Sequence, residues 1–121
     1  MHTIILASAA TFSLICSGTV STESQGEVVE EELTKAIYQI DLDANRWCVD
    51  SCPTVLPIFE NTDVTLNLFR KSDQKSVHIL NINRKSGSWY SIYIDNDIKV
   101  VFETKGKCEK APFEGFPKMK F

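Results

Sequence analysis

The stretch from Asp63 to Cys108 constrains the fold most, because its apolar residues recur at alternate positions through four runs separated by turn residues. Such alternation is the pattern of a strand with one face in a core. In Asp63 to Arg70, Val64, Leu66 and Leu68 point one way while Thr65 and Asn67 point the other. Ser76 to Asn83 is more apolar, with Leu80 and Ile82 on one face and Val77 and Ile79 on the other. Asn83 to Ser88 then supplies a loop with Gly87 where a positive φ is wanted, so Trp89 to Asp95 is expected to fold back antiparallel. Asp95-Asn96-Asp97 turns the chain once more, and Ile98, Val100 and Phe102 alternate with Lys99, Val101 and Glu103. Lys105-Gly106 is expected to end that strand just before Cys108.

Upstream, Tyr38, Ile40 and Leu42 alternate with Gln39, Asp41 and Asp43, which predicts a first strand over Ala36 to Asp43. Asn45 to Pro57 is irregular, and Pro53 and Pro57 argue against a central strand there. The last residues, Glu109 to Phe121, hold Pro112, Gly115 and Pro117 with three phenylalanines, Phe113, Phe116 and Phe121. A tail that folds back with its aromatics over an open end of the sheet is expected.

The first eighteen residues carry no Asp, Glu, Lys or Arg, and Ile4 to Cys16 is apolar. Residues 1–18 are expected to be a secretory signal peptide and 19–35 an acidic flexible leader, which leaves 36–121 as one small β domain. Lipidation of Cys16 is weighed as an alternative, but bulky Ile15 stands where such a signal carries Gly or Ala. The expected location is exported, periplasmic or extracellular, with no membrane span after signal cleavage. Net charge is −3, with two basic residues against ten acidic from Thr19 to Asp63 and eleven against six from Val64 onward. Lysines scattered through a tail do not form a recognition helix, so no nucleic-acid partner is expected.

Without the leader, three cysteines remain: Cys48, Cys52 and Cys108. One disulfide and one thiol, or a dimer, are expected. A bridge from Cys48 or Cys52 to Cys108 is favoured over Cys48 to Cys52, because closing the longer loop stabilises by roughly 4 kcal/mol. A zinc set of Cys48, Cys52, Cys108 and His78 has suitable donors but the wrong compartment and spacing. Asp41 to Cys52 begins like a calcium loop, then fails where Arg46 stands at the glycine position and Cys52 at the glutamate position. No metal and no cofactor are expected.

The fold class that follows is mainly β: an antiparallel meander of about five strands, curled toward a half-barrel or sandwich, with one disulfide. In Trp89 to Ile94, the row Tyr90, Ile92, Ile94 is assigned to the core, which leaves Trp89 and Tyr93 beside Arg84 as candidates for an exposed contact patch; core packing on both faces is the favoured alternative, since a small β domain needs every large side chain. The expected function is non-catalytic binding of a protein or envelope component. Arg46, Trp47, Arg84, Trp89 and Tyr93 are the candidate contacts. One alternative is a carrier of a small apolar ligand lined by Val64, Leu66, Ile92 and Ile94. Another is a hydrolase with paired carboxylates such as Asp41 and Asp97.

Overall fold

The computed structural model describes residues 10–117, which form nine antiparallel strands. They are β1 Thr11–Ser24, β2 Glu27–Asp41, β3 Arg46–Val49, β4 Leu56–Pro57, β5 Glu60–Asn61, β6 Thr65–Ser72, β7 Ser76–Asn83, β8 Ser88–Asp95 and β9 Val100–Ala111. All lie in one sheet ordered β4-β3-β2-β1-β9-β8-β7-β6-β5. Two meanders, β1 to β4 and β5 to β9, are therefore joined edge to edge through β1 against β9. The runs expected at Ser76 to Asn83 and Trp89 to Asp95 recur as β7 and β8 with almost the same bounds. The expected count of about five strands is too low, because β1 and the three short strands β3, β4 and β5 carry too little alternation to be read.

The sheet has to curl. β4 and β5 are its two outermost strands, yet only Ile58 and Phe59 separate them in the chain. Nine flat strands at their usual spacing would put those edges roughly 38 Å apart, whereas the three steps from Pro57 to Glu60 reach no more than about 11 Å. The linking residues bond to the segments next inward on both sides, the turn before β3 and strand β6. The Ile58 N–H donates to the Asn45 carbonyl at 3.1 Å, and the Phe59 N–H to the Leu68 carbonyl at 3.3 Å. The result is a half-barrel whose concave face holds one core, drawn from both meanders: Phe12, Leu14, Cys16, Tyr38, Ile40 and Trp47 meet Leu66, Leu68, Leu80, Ile82 and Trp89.

At the centre lie the segments expected to be a leader. Thr11 to Gly18 and Thr19 to Ser24 form one continuous strand, β1, paired with β2 from Thr11↔Asp41 and with β9 from Ser13↔Ala111. Residues 27–35, expected to be flexible, are the first half of β2, while Met1 to Ala9 lie outside the described residues. The alternation in Phe12, Leu14, Cys16 is real, but it is masked in sequence because Ile15 and neighbouring small residues make the run look uniformly apolar.

There are two disulfides, not one: Cys16–Cys108, 92 residues apart, and Cys48–Cys52, 4 apart. Neither expected long bridge exists. Treating Cys16 as part of a cleaved leader removed the partner that faces Cys108 across β1 and β9. In the loop-closure account the 92-residue bridge stabilises by roughly 4.5 kcal/mol and the short one by about 2.

Gly106 does not end β9; that strand continues to Ala111. Gly106 stands opposite Gly18 on one side and Trp89 on the other. A Cβ on Gly106 would lie 2.7 Å from Gly18 Cα and against the Ser17 carbonyl, and a Cβ on Gly18 would meet Gly106 Cα at 2.7 Å. The glycine pair lets two strands approach where no side chain fits, beside the indole of Trp89.

The tail does fold back, but onto the convex face of β1 and β2 rather than over an open end. Ser13 Oγ lies 2.8 Å from both Gln39 Oε1 and the Pro112 carbonyl, and the Glu114 N–H donates to Gln39 Oε1 at 2.9 Å. Phe113 and Phe116 meet edge to face at 5.4 Å, with the Arg46 guanidinium 4.4 Å from the centre of the Phe116 ring. Phe121 lies outside the described residues. The acidic and basic halves do not neutralise one another through ion pairs: among the described residues the one ion pair is Lys105–Glu103 at 3.6 Å, both on β9.

Gly106→Ala is expected to lower the unfolding free energy by about 3 kcal/mol or more in urea titration. Gly26→Ala, whose added Cβ meets nothing within 4 Å, should lose only about 1–2 kcal/mol from its φ of +87°. Equal losses would contradict the close approach of β1 and β9.

Candidate functional site

At one end of the half-barrel the concave face is not filled by its own side chains. An open cleft of about 230 Å³ lies there, lined by Phe12, Leu14, Leu66, Ile82, Asn83, Arg84, Gly87, Cys108 and Lys110. Its floor is apolar and belongs to the core: Leu14 of β1, Leu66 of β6 and Ile82 of β7 are buried and line it. The upper wall is the β7–β8 loop. Asn83 Oδ1 accepts the Lys85 and Ser86 N–H groups at 2.9 Å, the Gly87 N–H returns to the Asn83 carbonyl at 2.8 Å, and Gly87, at φ +79°, supplies the left-handed turn. The Cys108 N–H then donates to the Gly87 carbonyl at 2.8 Å, which docks the loop on β9 beside the long disulfide.

Two cations stand at the mouth. Arg84 Nη1 donates to Asn61 Oδ1 at 2.8 Å and to the Thr62 carbonyl at 2.9 Å, and the Arg84 N–H to the Val64 carbonyl at 2.6 Å. Its partners are neutral oxygens, so its charge is positioned without being cancelled. Lys110 Nζ lies 4.8 Å from the centre of the Phe12 ring, a cation–π contact at the rim. Among the described residues neither cation has a carboxylate within 4.0 Å.

Of the five residues singled out from sequence, Arg84 alone lies in this cleft. Trp47 and Trp89 are core, 4% and 5% exposed, and are no part of an exposed surface. The facing of β8 is the reverse of that expected: Trp89 points inward and Ile92 and Ile94 outward. Trp89 pairs with Ile82 and Gly106, both on the concave side, while Ile92 pairs with Ile79 and Ile94 with Val77 on the convex side. Counting aliphatics favoured the wrong row because this sheet carries apolar residues on both faces. Trp89 Nε1 donates to the Tyr38 hydroxyl at 3.1 Å, and burial pushes that hydroxyl up to about 12, with the Trp89 bond opposing and the Asp50 charge adding to the rise. Arg46 covers Phe116 on the convex face. Tyr93 is half-buried between His78, at 5.6 Å, and Phe102, at 6.2 Å.

The expected apolar lining is corrected in the same way: Leu66 faces the cleft, Val64 is exposed, and Ile92 and Ile94 lie on the other face. Phe12, Leu14 and Lys110 were missed, the first two because they fell in the expected leader and the third because β9 was ended too early.

Other constellations resolve differently. Asp41 caps the β2–β3 turn, accepting the Ala44 N–H at 3.0 Å, and Asp95 accepts the Asp97 and Ile98 N–H groups at the β8–β9 turn. Asp41 pairs with Thr11 and Asp95 with Val100, itself opposite Ser24, so most of β1, roughly 40 Å of strand, separates the Asp41 and Asp97 ends. They are not a catalytic pair. Cys48, Cys52 and Cys108, weighed and set aside as zinc ligands, are all in disulfides. The chain has no match among protein family models, curated proteins or solved structures.

His78 packs between Phe69, at 4.9 Å, and Tyr93, and burial holds its imidazole below the ordinary value of 6.5. The folded protein thus binds fewer protons there than the unfolded chain. This contribution to stability is complete above 6.5 and is lost as pH falls through the lowered folded value. Asp73, held below 3.8 by the Ser76 and Lys75 N–H groups, loses its contribution only at more acidic pH. His78→Phe should therefore flatten the fall of Tm between about pH 7 and 5 while leaving the steeper loss below about pH 4. An unchanged slope in the upper window would show that His78 is not the group responsible.

Proposed function

We propose that this protein is an exported binding module and that the cleft bounded by β1, β6, β7 and β9 is where it takes a small ligand. The observation that carries this reading is the break in core packing at that end. Leu14, Leu66 and Ile82 are buried residues, yet they border an open space rather than a further layer of side chains. Apolar side chains that line a cleft without filling it are the ordinary ground for a binding site. Rigid support favours the same reading, since the floor lies on paired strands, the loop above it is pinned to β9, and the long disulfide stands in the wall.

Two disulfides belong to an oxidising compartment, and export follows as the simplest way to reach one. A cut after Gly18 would remove Cys16, Phe12 and Leu14, leaving Cys108 without its partner and the cleft without half its floor. The leader we propose therefore ends before Thr11. Ala7-Ser8-Ala9 offers the small residues such a cut needs.

Titration of the isotope-labelled protein with 1-octanol should shift the amides of Leu14, Ile82, Asn83, Gly87 and Lys110, with little change at the tail or the β1–β2 turn. Shifts absent from the cleft, or spread evenly over the surface, would contradict it.

A further inference from the structure

Resting on the cleft reading, we infer that the ligand is a small amphipathic carboxylate whose apolar part lies on the floor and whose head group bonds to Arg84 with Lys110 beside it. The donors of Arg84 decide the head group. A guanidinium has five N–H groups, two on Nη1. Both Nη1 protons have acceptors, in Asn61 Oδ1 and the Thr62 carbonyl. Nε and Nη2 have no side-chain or backbone acceptor among the described residues, and they form the edge that takes a carboxylate through two parallel bonds. The group is thus clamped by one nitrogen and presented by the other two.

Lys110 adds a second positive charge at the same mouth. Its ammonium lies over the Phe12 ring rather than against an acid, so a bound anion would meet it without first displacing a protein carboxylate. The floor beneath is apolar, with Phe12, Leu14, Leu66 and Ile82. A cavity of about 150 Å³ suffices for benzene, so about 230 Å³ suits a single ring or a medium alkyl chain. Apolar floor and cationic rim together select against neutral alcohols, which forgo the charged bonds, and against amines, which meet two like charges.

The test compares octanoate, 1-octanol and octylammonium by calorimetry and amide shifts at neutral pH, with wild type, Lys110→Gln and Arg84→Lys, each variant first shown to melt cooperatively. Octanoate should bind at least about tenfold more tightly than octanol, as expected for hydrogen bonds to a charged group. Arg84→Lys keeps the charge but loses the fork, so it should remove most of that preference, read as the ratio of octanoate to octanol affinity within the same variant. Lys110→Gln should weaken octanoate severalfold. Equal affinities of octanoate and octanol, both mapped to the cleft, would overturn the carboxylate assignment and leave the cleft standing. A preference for octylammonium would overturn it too. If none of the three shifts cleft amides, both readings fall.

Discussion

The two outermost strands of this sheet are consecutive in the chain and separated by two residues, and the rest of the structure depends on that constraint. A chain cannot cross a flat sheet of this width in so short a step, so the strands must curl until β4 and β5 meet. Curling gathers Trp47 from one meander and Leu66, Leu68 and Leu80 from the other into a single core. It also decides which face of each strand is inside. Trp89 could not reach the Tyr38 hydroxyl, three strands away in the sheet order, unless the sheet were bent toward it.

The curled sheet also leaves two ends, and these are not alike. At one end the inward residues form an aromatic ladder, Phe69, His78, Tyr93 and Phe102, each ring touching the next across neighbouring strands. At the other, Phe12, Leu14, Leu66 and Ile82 border a space that no side chain fills, and the cations above it are held by neutral groups. The first end spends its large side chains on packing. The second keeps a gap, over a floor fixed by the Cys16–Cys108 bridge and by strand pairing on both sides of β1.

The meander from β6 to β9 was legible because its strands are half-buried and bounded by Asn, Asp and Gly turns, which is the situation that alternation reports. Its facing was only partly legible. Leu66 with Leu68, and Leu80 with Ile82, each share a face as alternation says, but β8 has apolar residues on both sides, and choosing between them needs the identity of the neighbour; Gly106 makes room for Trp89 and nothing local says so. β1 was hidden for a different reason. An apolar run near the amino terminus with Ser, Gly and Ala satisfies the composition of a leader as well as that of a buried strand, and Cys16 acquires its meaning only from Cys108, 92 residues away. The cleft inherits both difficulties, since half its floor lies in that run and Lys110 lies beyond the glycine that was read as the end of a strand. Arg84 stands out in sequence beside Trp89 and Tyr93, but the Asn61 and Thr62 oxygens that aim it come from a segment some twenty residues upstream.

β1 is an integral central strand, stapled through Cys16 to Cys108. The most direct test is the mass spectrum of the unreduced protein taken from its natural compartment, with peptide mapping of the disulfides and of the first residue. The expected result is a mature chain that begins before Thr11 and contains Cys16–Cys108 and Cys48–Cys52 with no free thiol. A mature chain that begins at or after Thr19, or one in which Cys108 is linked to Cys48 or Cys52, would contradict it.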